Sequence, residues 1–162
     1  MQHRVLTTAF VLAGLLAGLL LAGVAACASR QTALERTTFG ADAGVALSEM
    51  TWASPGYFYR DVEVGAGVEA AGGRTVRISY VVRLADGREV DRADRDAPVS
   101  FRIGEGRVIR ALDAGIRGMR VGGARQLVVP PELGYGAQGA GPIPPHAVLV
   151  MLVRLESVEN AR

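Results

Sequence analysis

The segment VIRALDAGIRGM, Val108 to Met119, is where the chain changes its period. Apolar residues fall at Ile109, Leu112, Ile116 and Met119, spacings of three and four that put them on one helical stripe. Gly115 and Gly118 each cost roughly 1 kcal/mol inside a helix relative to Ala, so they are read as permitting close approach to a sheet or as ending the helix. On both sides of this segment the pattern is that of strands. Thr75 to Val81 and Val99 to Ile103 alternate apolar and polar residues, as half-buried strands do. Tyr57 to Val64 has high strand propensity. Asp86-Gly87 marks a hairpin turn, with Glu89 to Asp91 leading back. Gln126 to Pro130 and the apolar run Ala147 to Val158 are the last strands. Hairpin-joined strands with one short helix make an antiparallel α+β domain.

Bulk properties bound the function. The 162 residues are 49% hydrophobic, which excludes a disordered chain and allows one domain with a core plus some tail. Every one of the 18 basic residues is Arg, and 16 acids balance them to a net charge of +2. The arginines are scattered and often sit beside acids, as in DRADRD, Asp91 to Asp96. No one-signed cluster is present, so no nucleic-acid partner is expected.

Reactive groups in a recognisable pattern are few. Gly134 to Gly139 satisfies G-x-G-x-x-G, but a dinucleotide loop must open a helix and Gly141-Pro142-Ile143-Pro144-Pro145 follows instead. His146 has no second His or Cys to share a metal, and no Ser stands in a pattern with His and Asp. No metal and no cofactor are expected.

The N-terminus reads as separate from the fold. A short basic start, MQHR, precedes the uncharged run Val5 to Ala26, a pattern of secretory signals that is also long enough to span a bilayer. The run ends in Val24-Ala25-Ala26-Cys27, which resembles the lipobox of bacterial lipoproteins. The resemblance implies a signal peptide over 1–26, cleavage before Cys27 and acylation of Cys27, the only Cys in the chain. Residues 27–54 are then an acylated N-terminus and tether, with one short structured piece near Val45 to Trp52. The implied location is the cell envelope, held at a membrane by the lipid on Cys27. Ala28 in place of Asp favours the periplasmic face of the outer membrane in the enterobacterial sorting pattern.

Three blocks together carry a second resemblance: ADGREVDRA from Ala85, the run from Gly104 to Gly136, and GPIPPHAVLVMLVRLESV from Gly141. In order and spacing they resemble FKBP-type peptidyl-prolyl cis-trans isomerases, over about Pro55 to Asn160, so that 55–162 is expected to be an isomerase domain. The resemblance implies a twisted antiparallel β-sheet wrapped around one short α-helix. It implies X-Pro bond rotation in exported, proline-containing polypeptides, and hence a role in protein folding in the envelope. Residues at the family's pocket positions are Tyr80, Asp91, Phe101, Val108, Ile109, Leu112, Tyr135, Ile143 and Met151. By the same resemblance the Ile109 N–H would serve a ligand carbonyl, the Tyr135 hydroxyl a second one, and Leu112 would form the floor. Tyr80 and Asp91 would orient polar atoms at the wall. Departures are also visible. Val90, Val99, Leu112 and Met151 stand where the family often has aromatics, which implies weaker peptide binding. A module that binds proline segments with little turnover is therefore the alternative. The residues leave the oligomeric state open.

Overall fold

The computed structural model describes residues 31–159; the apolar run, Cys27 and the last three residues lie outside that range. Seven strands form the sheet: β1 (Thr51–Ala53), β2 (Tyr57–Glu63), β3 (Thr75–Leu84), β4 (Glu89–Ala93), β5 (Val99–Arg102), β6 (Ala124–Val129) and β7 (Leu149–Glu159). All pairings are antiparallel, in the order β1-β2-β6-β7-β3-β4, and β5 also pairs β3. β4 and β5 share one edge of β3, opposite Tyr80–Arg83 and Thr75–Ile78 respectively.

Period-two alternation sorts the side chains. Val76, Ile78 and Val82 of β3, Leu127 and Val129 of β6, and Leu149, Met151, Val153 and Leu155 of β7 all pack into one main core. The helix Arg110–Gly115 lies in that core through Ala111 and Leu112. It is shorter than the apolar stripe, yet Ile116 and Met119 stay buried in the turns that follow. Gly118 ends the run at a φ of 77°, a conformation that suits Gly. Gly115 faces β6, where an added Cβ would stand 2.9 Å from both Leu127 methyls. Arg125 ties the end of the helix to the sheet. It donates to the carbonyls of Gly115 (2.8 Å) and Arg117 (3.2 Å), forms two bonds to the Asp61 carboxylate, and lies over the Tyr59 ring at 4.7 Å.

The structure corrects the expectation of a tether over 31–54; residues 27–30 lie outside the described residues. From residue 31 onward the chain packs on the outer face of the sheet. A helical turn over 31–35 and the short 3-10 turns Ala41–Ala43 and Leu47–Glu49 lead into β1. Leu34 and Ala43 join Phe58, Val128 and Val150 in a second buried cluster. Polar ties fix this strap: Gly40 N–H donates to Ala85 O at 2.8 Å, Gln126 Nε2 donates to Gly44 O at 3.0 Å, and Arg60 pairs with Glu49. The cause is the sheet itself. Phe58, Val128 and Val150 point away from the main core, and leaving them wet would forfeit roughly 1.5–3 kcal/mol for each large side chain.

Candidate active site

The helix and the sheet leave one end of the main core open. The opening is a cavity of about 450 Å³, within the usual range for small-ligand sites of about 300–1,000 Å³. Four strands and two further segments build it. β3 contributes Ile78, Tyr80 and Val82, and β7 contributes Leu149 and Met151. Asp91 of β4 and Val99 of β5 form another wall. The segment Arg107 to Ile109 and Leu112 come from the start of the helix, and Tyr135 from the loop after β6.

Eight of the residues expected from the sequence therefore meet in this cavity: Tyr80, Asp91, Val99, Val108, Ile109, Leu112, Tyr135 and Met151. Three do not reach its wall. Phe101 and Ile143 are 4% and 5% exposed and lie in the core behind it, and Val90 is half-buried against the same core. Val90 sits at an irregularity in the β3–β4 register, where Val82 faces Asp91 and Arg83 faces Glu89. This extra residue lets Val90 and Asp91, neighbours in sequence, both turn toward the inner side. Ile78, Val82, Leu149 and Arg107 are wall residues not anticipated from the sequence. The alternation of β3 carried the signal for the first two, since Tyr80 shares its face with Ile78 and Val82.

Polar groups at the cavity are few and specifically arranged. The Tyr80 hydroxyl donates to Asp91 Oδ2 at 3.0 Å, while Asp91 Oδ1 accepts from the Arg92 N–H at 2.8 Å. Burial, the hydrogen bond to Asp91 and the Asp91 charge push the Tyr80 pKa up to about 12, with a further contribution from Tyr135. Burial first, and then the Asp91 charge, raise the Tyr135 pKa too. Both phenols thus stay protonated and able to donate. Ile109 stands just before the helix with an extended backbone (φ −58°, ψ 146°), and its carbonyl accepts from Leu112 and Asp113. Its N–H donates to no acceptor among the described residues.

The loop that bears Tyr135 is shaped by its backbone. Gly136 O accepts from the His146 N–H at 2.9 Å, which closes its base. Ala140 and Ile143 exchange two hydrogen bonds of 2.9 and 2.8 Å around Gly141-Pro142. Gly139 has a φ of 65°, and a Cβ there would fall 2.3 Å from Ile143 O. Buried Ile143 anchors the far end. Among the described residues no three His, Cys, Asp or Glu gather as a metal site. The chemistry on offer is therefore an apolar hollow with the Ile109 N–H at its lining, two phenols, the Asp91 carboxylate and the Arg107 guanidinium.

Residues 67–156 match the family model described as FKBP-type peptidyl-prolyl cis-trans isomerase. An FK506-binding protein of Neisseria meningitidis serogroup B is 42% identical over 105 residues, 64% of this chain and 96% of that protein. Among solved structures, a peptidyl-prolyl cis-trans isomerase from Pseudomonas syringae superposes with a TM-score of 0.65 at 28% identity, covering 82% of this chain and 95% of the other. FkpA from Escherichia coli also gives a TM-score of 0.65 at 28% identity, over 99% of this chain and 76% of the other. The chain belongs to the FKBP-type peptidyl-prolyl cis-trans isomerase family.

Proposed function

We propose that the cavity rotates X-Pro bonds by differential solvation of the amide, with the residues named above in defined roles. The barrier to rotation is about 18–20 kcal/mol, and no covalent bond need break. The planar amide carries resonance charge on its oxygen that water solvates well; the twisted amide carries less. Moving the amide into an apolar hollow therefore raises the planar form relative to the twisted one. The proline ring rests against Leu112, Val82 and Met151. The Ile109 N–H donates to a neighbouring ligand carbonyl and the Tyr135 hydroxyl to a second, which hold the chain while the bond turns. Asp91 fixes Tyr80 through their hydrogen bond. A 10⁵-fold acceleration requires about 7 kcal/mol of such differential stabilisation.

The observation that carries this reading is the free Ile109 N–H at the lining of an open apolar cavity. A protease-coupled assay on short X-Pro peptides tests it. Turnover above the spontaneous rate is expected, and Tyr135→Phe should lower kcat/KM by about three- to tenfold, the loss of one hydrogen bond. A folded domain no faster than buffer would reject the enzyme reading in favour of a proline-binding module. On the cavity wall, Val99, Leu112 and Met151 favour that second reading, because aromatics there would supply about 150–250 Å² of contact each.

The lipobox-like residues before Cys27 support a place in the cell envelope, with exported proline-containing polypeptides as substrates and the periplasmic face of the outer membrane as the site of action. Two acyl chains anchor firmly, since each buried methylene contributes about 0.8 kcal/mol. Cys27→Ser should release the protein from the membrane or block its processing; unchanged acylation would refute that site.

A further inference from the structure

Exposed arginines stand at the rim of the hollow beside the Ile109 donor. Arg107 lines the cavity wall with its side chain 76% exposed, and its one acidic neighbour is Glu105, whose carboxylate lies 3.5 Å from Arg107 Nε. Glu105 is shared, because Arg102 approaches the same carboxylate at 3.6 Å. Arg110, three residues on, is exposed and has no ion-pair partner among the described residues. The stretch Arg102 to Arg110 thus holds three arginines against one glutamate, a net charge of +2, and Arg107 and Arg110 bracket the Val108-Ile109 segment. Of the nearby acids, Asp113 is paired with Arg117 and accepts from the Gly104 N–H. Asp91 keeps its negative charge, but it stands on the β4 wall of the cavity, held by the Tyr80 hydroxyl and the Arg92 N–H.

We propose that Arg107, with Arg110 beside it, biases this pocket toward proline segments that carry an acidic side chain next to the proline. The inference rests on the reading that the cavity receives proline segments. Residues flanking a seated proline must leave the hollow across its rim, and there an Asp or Glu meets a cation while a Lys meets a like charge. Arg107 is a specificity residue in this scheme; it does not touch the rotating bond.

A unit charge about 7 Å from an exposed guanidinium in water shifts an equilibrium about two- to threefold, so replacing Glu by Lys should change it about fivefold. The test uses peptides with Glu, Gln or Lys immediately before or immediately after a single proline. Isomerisation is followed by NMR exchange spectroscopy at low ionic strength. For at least one position the Glu peptide should exceed the Lys peptide in kcat/KM by about fivefold. That ratio should fall toward one in 0.5 M salt, where the screening length shrinks to about 3–5 Å. Arg107→Lys should keep the ratio, and Arg107→Glu should invert it, each read against the Gln peptide on the same variant. A wild-type ratio at or below one at both positions, or a ratio that Arg107→Glu leaves unchanged, overturns the inference. Should the wild-type domain speed no peptide at all, the turnover reading fails by itself, and the same ratios taken from dissociation constants decide the inference. Peptides that neither turn over nor bind overturn both.

Discussion

Replacing Leu34 by Ala tests whether the N-terminal strap belongs to the folded unit. Leu34 is 1% exposed and shares its cluster with Phe58, Val128 and Val150. Truncating a buried Leu costs about 2–5 kcal/mol, the transfer energy of the lost carbons plus the cavity they leave. This cluster is bordered by half-buried Phe39, Val45 and Leu47, which can close in on the gap. We therefore predict a loss toward the lower end, about 2–3 kcal/mol. Trp52, the only Trp, packs edge-on against Phe58 at 4.9 Å, so its fluorescence reports on the strap while circular dichroism reports on the whole sheet. Urea unfolding of the chain without residues 1–26 should show the two signals changing together. Leu34→Ala should lower the stability read from both signals by that amount, moving both midpoints down equally at constant slope. A change under about 0.5 kcal/mol, the usual size for a surface substitution, would show that the strap contributes nothing and that the packing argument is wrong.

Other expectations follow from single contacts. The Tyr80 phenol is protonated in folded and unfolded chains below pH 10, so its contribution to stability is intact there. Between pH 10 and about 12 the unfolded chain gives up its proton while the folded one keeps it, so stability should fall as pH rises through that window. Asp91→Asn should lower the Tyr80 pKa only part of the way to 10, because burial is the largest cause of its elevation; a ¹³C NMR titration of the tyrosines that shows no fall would contradict the assigned pair. Gly139→Ala combines a positive φ with a 2.3 Å approach to Ile143 O, and should cost at least about 1–2 kcal/mol while lowering kcat/KM through the displaced Tyr135 loop. Wild-type kinetics in that variant would show that the loop does not hold the substrate. Arg125→Leu removes the donors to Gly115 and Arg117 and the partner of Asp61. A loss of about 2–4 kcal/mol in urea is predicted from the orphaned carbonyls and carboxylate; a loss under 1 kcal/mol would assign the helix–sheet junction to apolar packing alone.

Much of this architecture was legible in the residues, and the gaps have physical reasons. Alternation located β3 and β5, and the three-and-four spacing located the helix. The stripe overstated the helix length because Ile116 and Met119 are buried from turns as well as they would be from a helix. Of the two roles the sequence leaves open for Gly115, it takes both: it is the last residue of the helix and the point of close approach to Leu127. The strap was missed because Ala, Thr and Gly dominate it and its anchors are single residues such as Leu34. A signal existed elsewhere: the run Ala147 to Val153 is apolar without alternation, as in a strand covered on both faces, and the strap covers its outer face at Val150 while Leu152 stays exposed. At the cavity, the polar pair and the donor segment could be placed by resemblance, whereas Val90, Phe101 and Ile143 lie behind the wall rather than on it. Such depth depends on strand irregularity and on loop closure, which a one-dimensional pattern does not encode.

The proposed catalysis requires the Ile109 N–H and the apolar hollow to act together on an X-Pro bond. The most direct measurement is NMR of the ¹⁵N-labelled domain with a short proline peptide, reading the peptide's cis-trans exchange and the Ile109 amide in one sample. Accelerated exchange, accompanied by a downfield shift of the Ile109 amide at a peptide concentration that also perturbs Leu112 and Tyr135, is the predicted result. Unaccelerated exchange, or acceleration with the Ile109 amide unmoved, would contradict it.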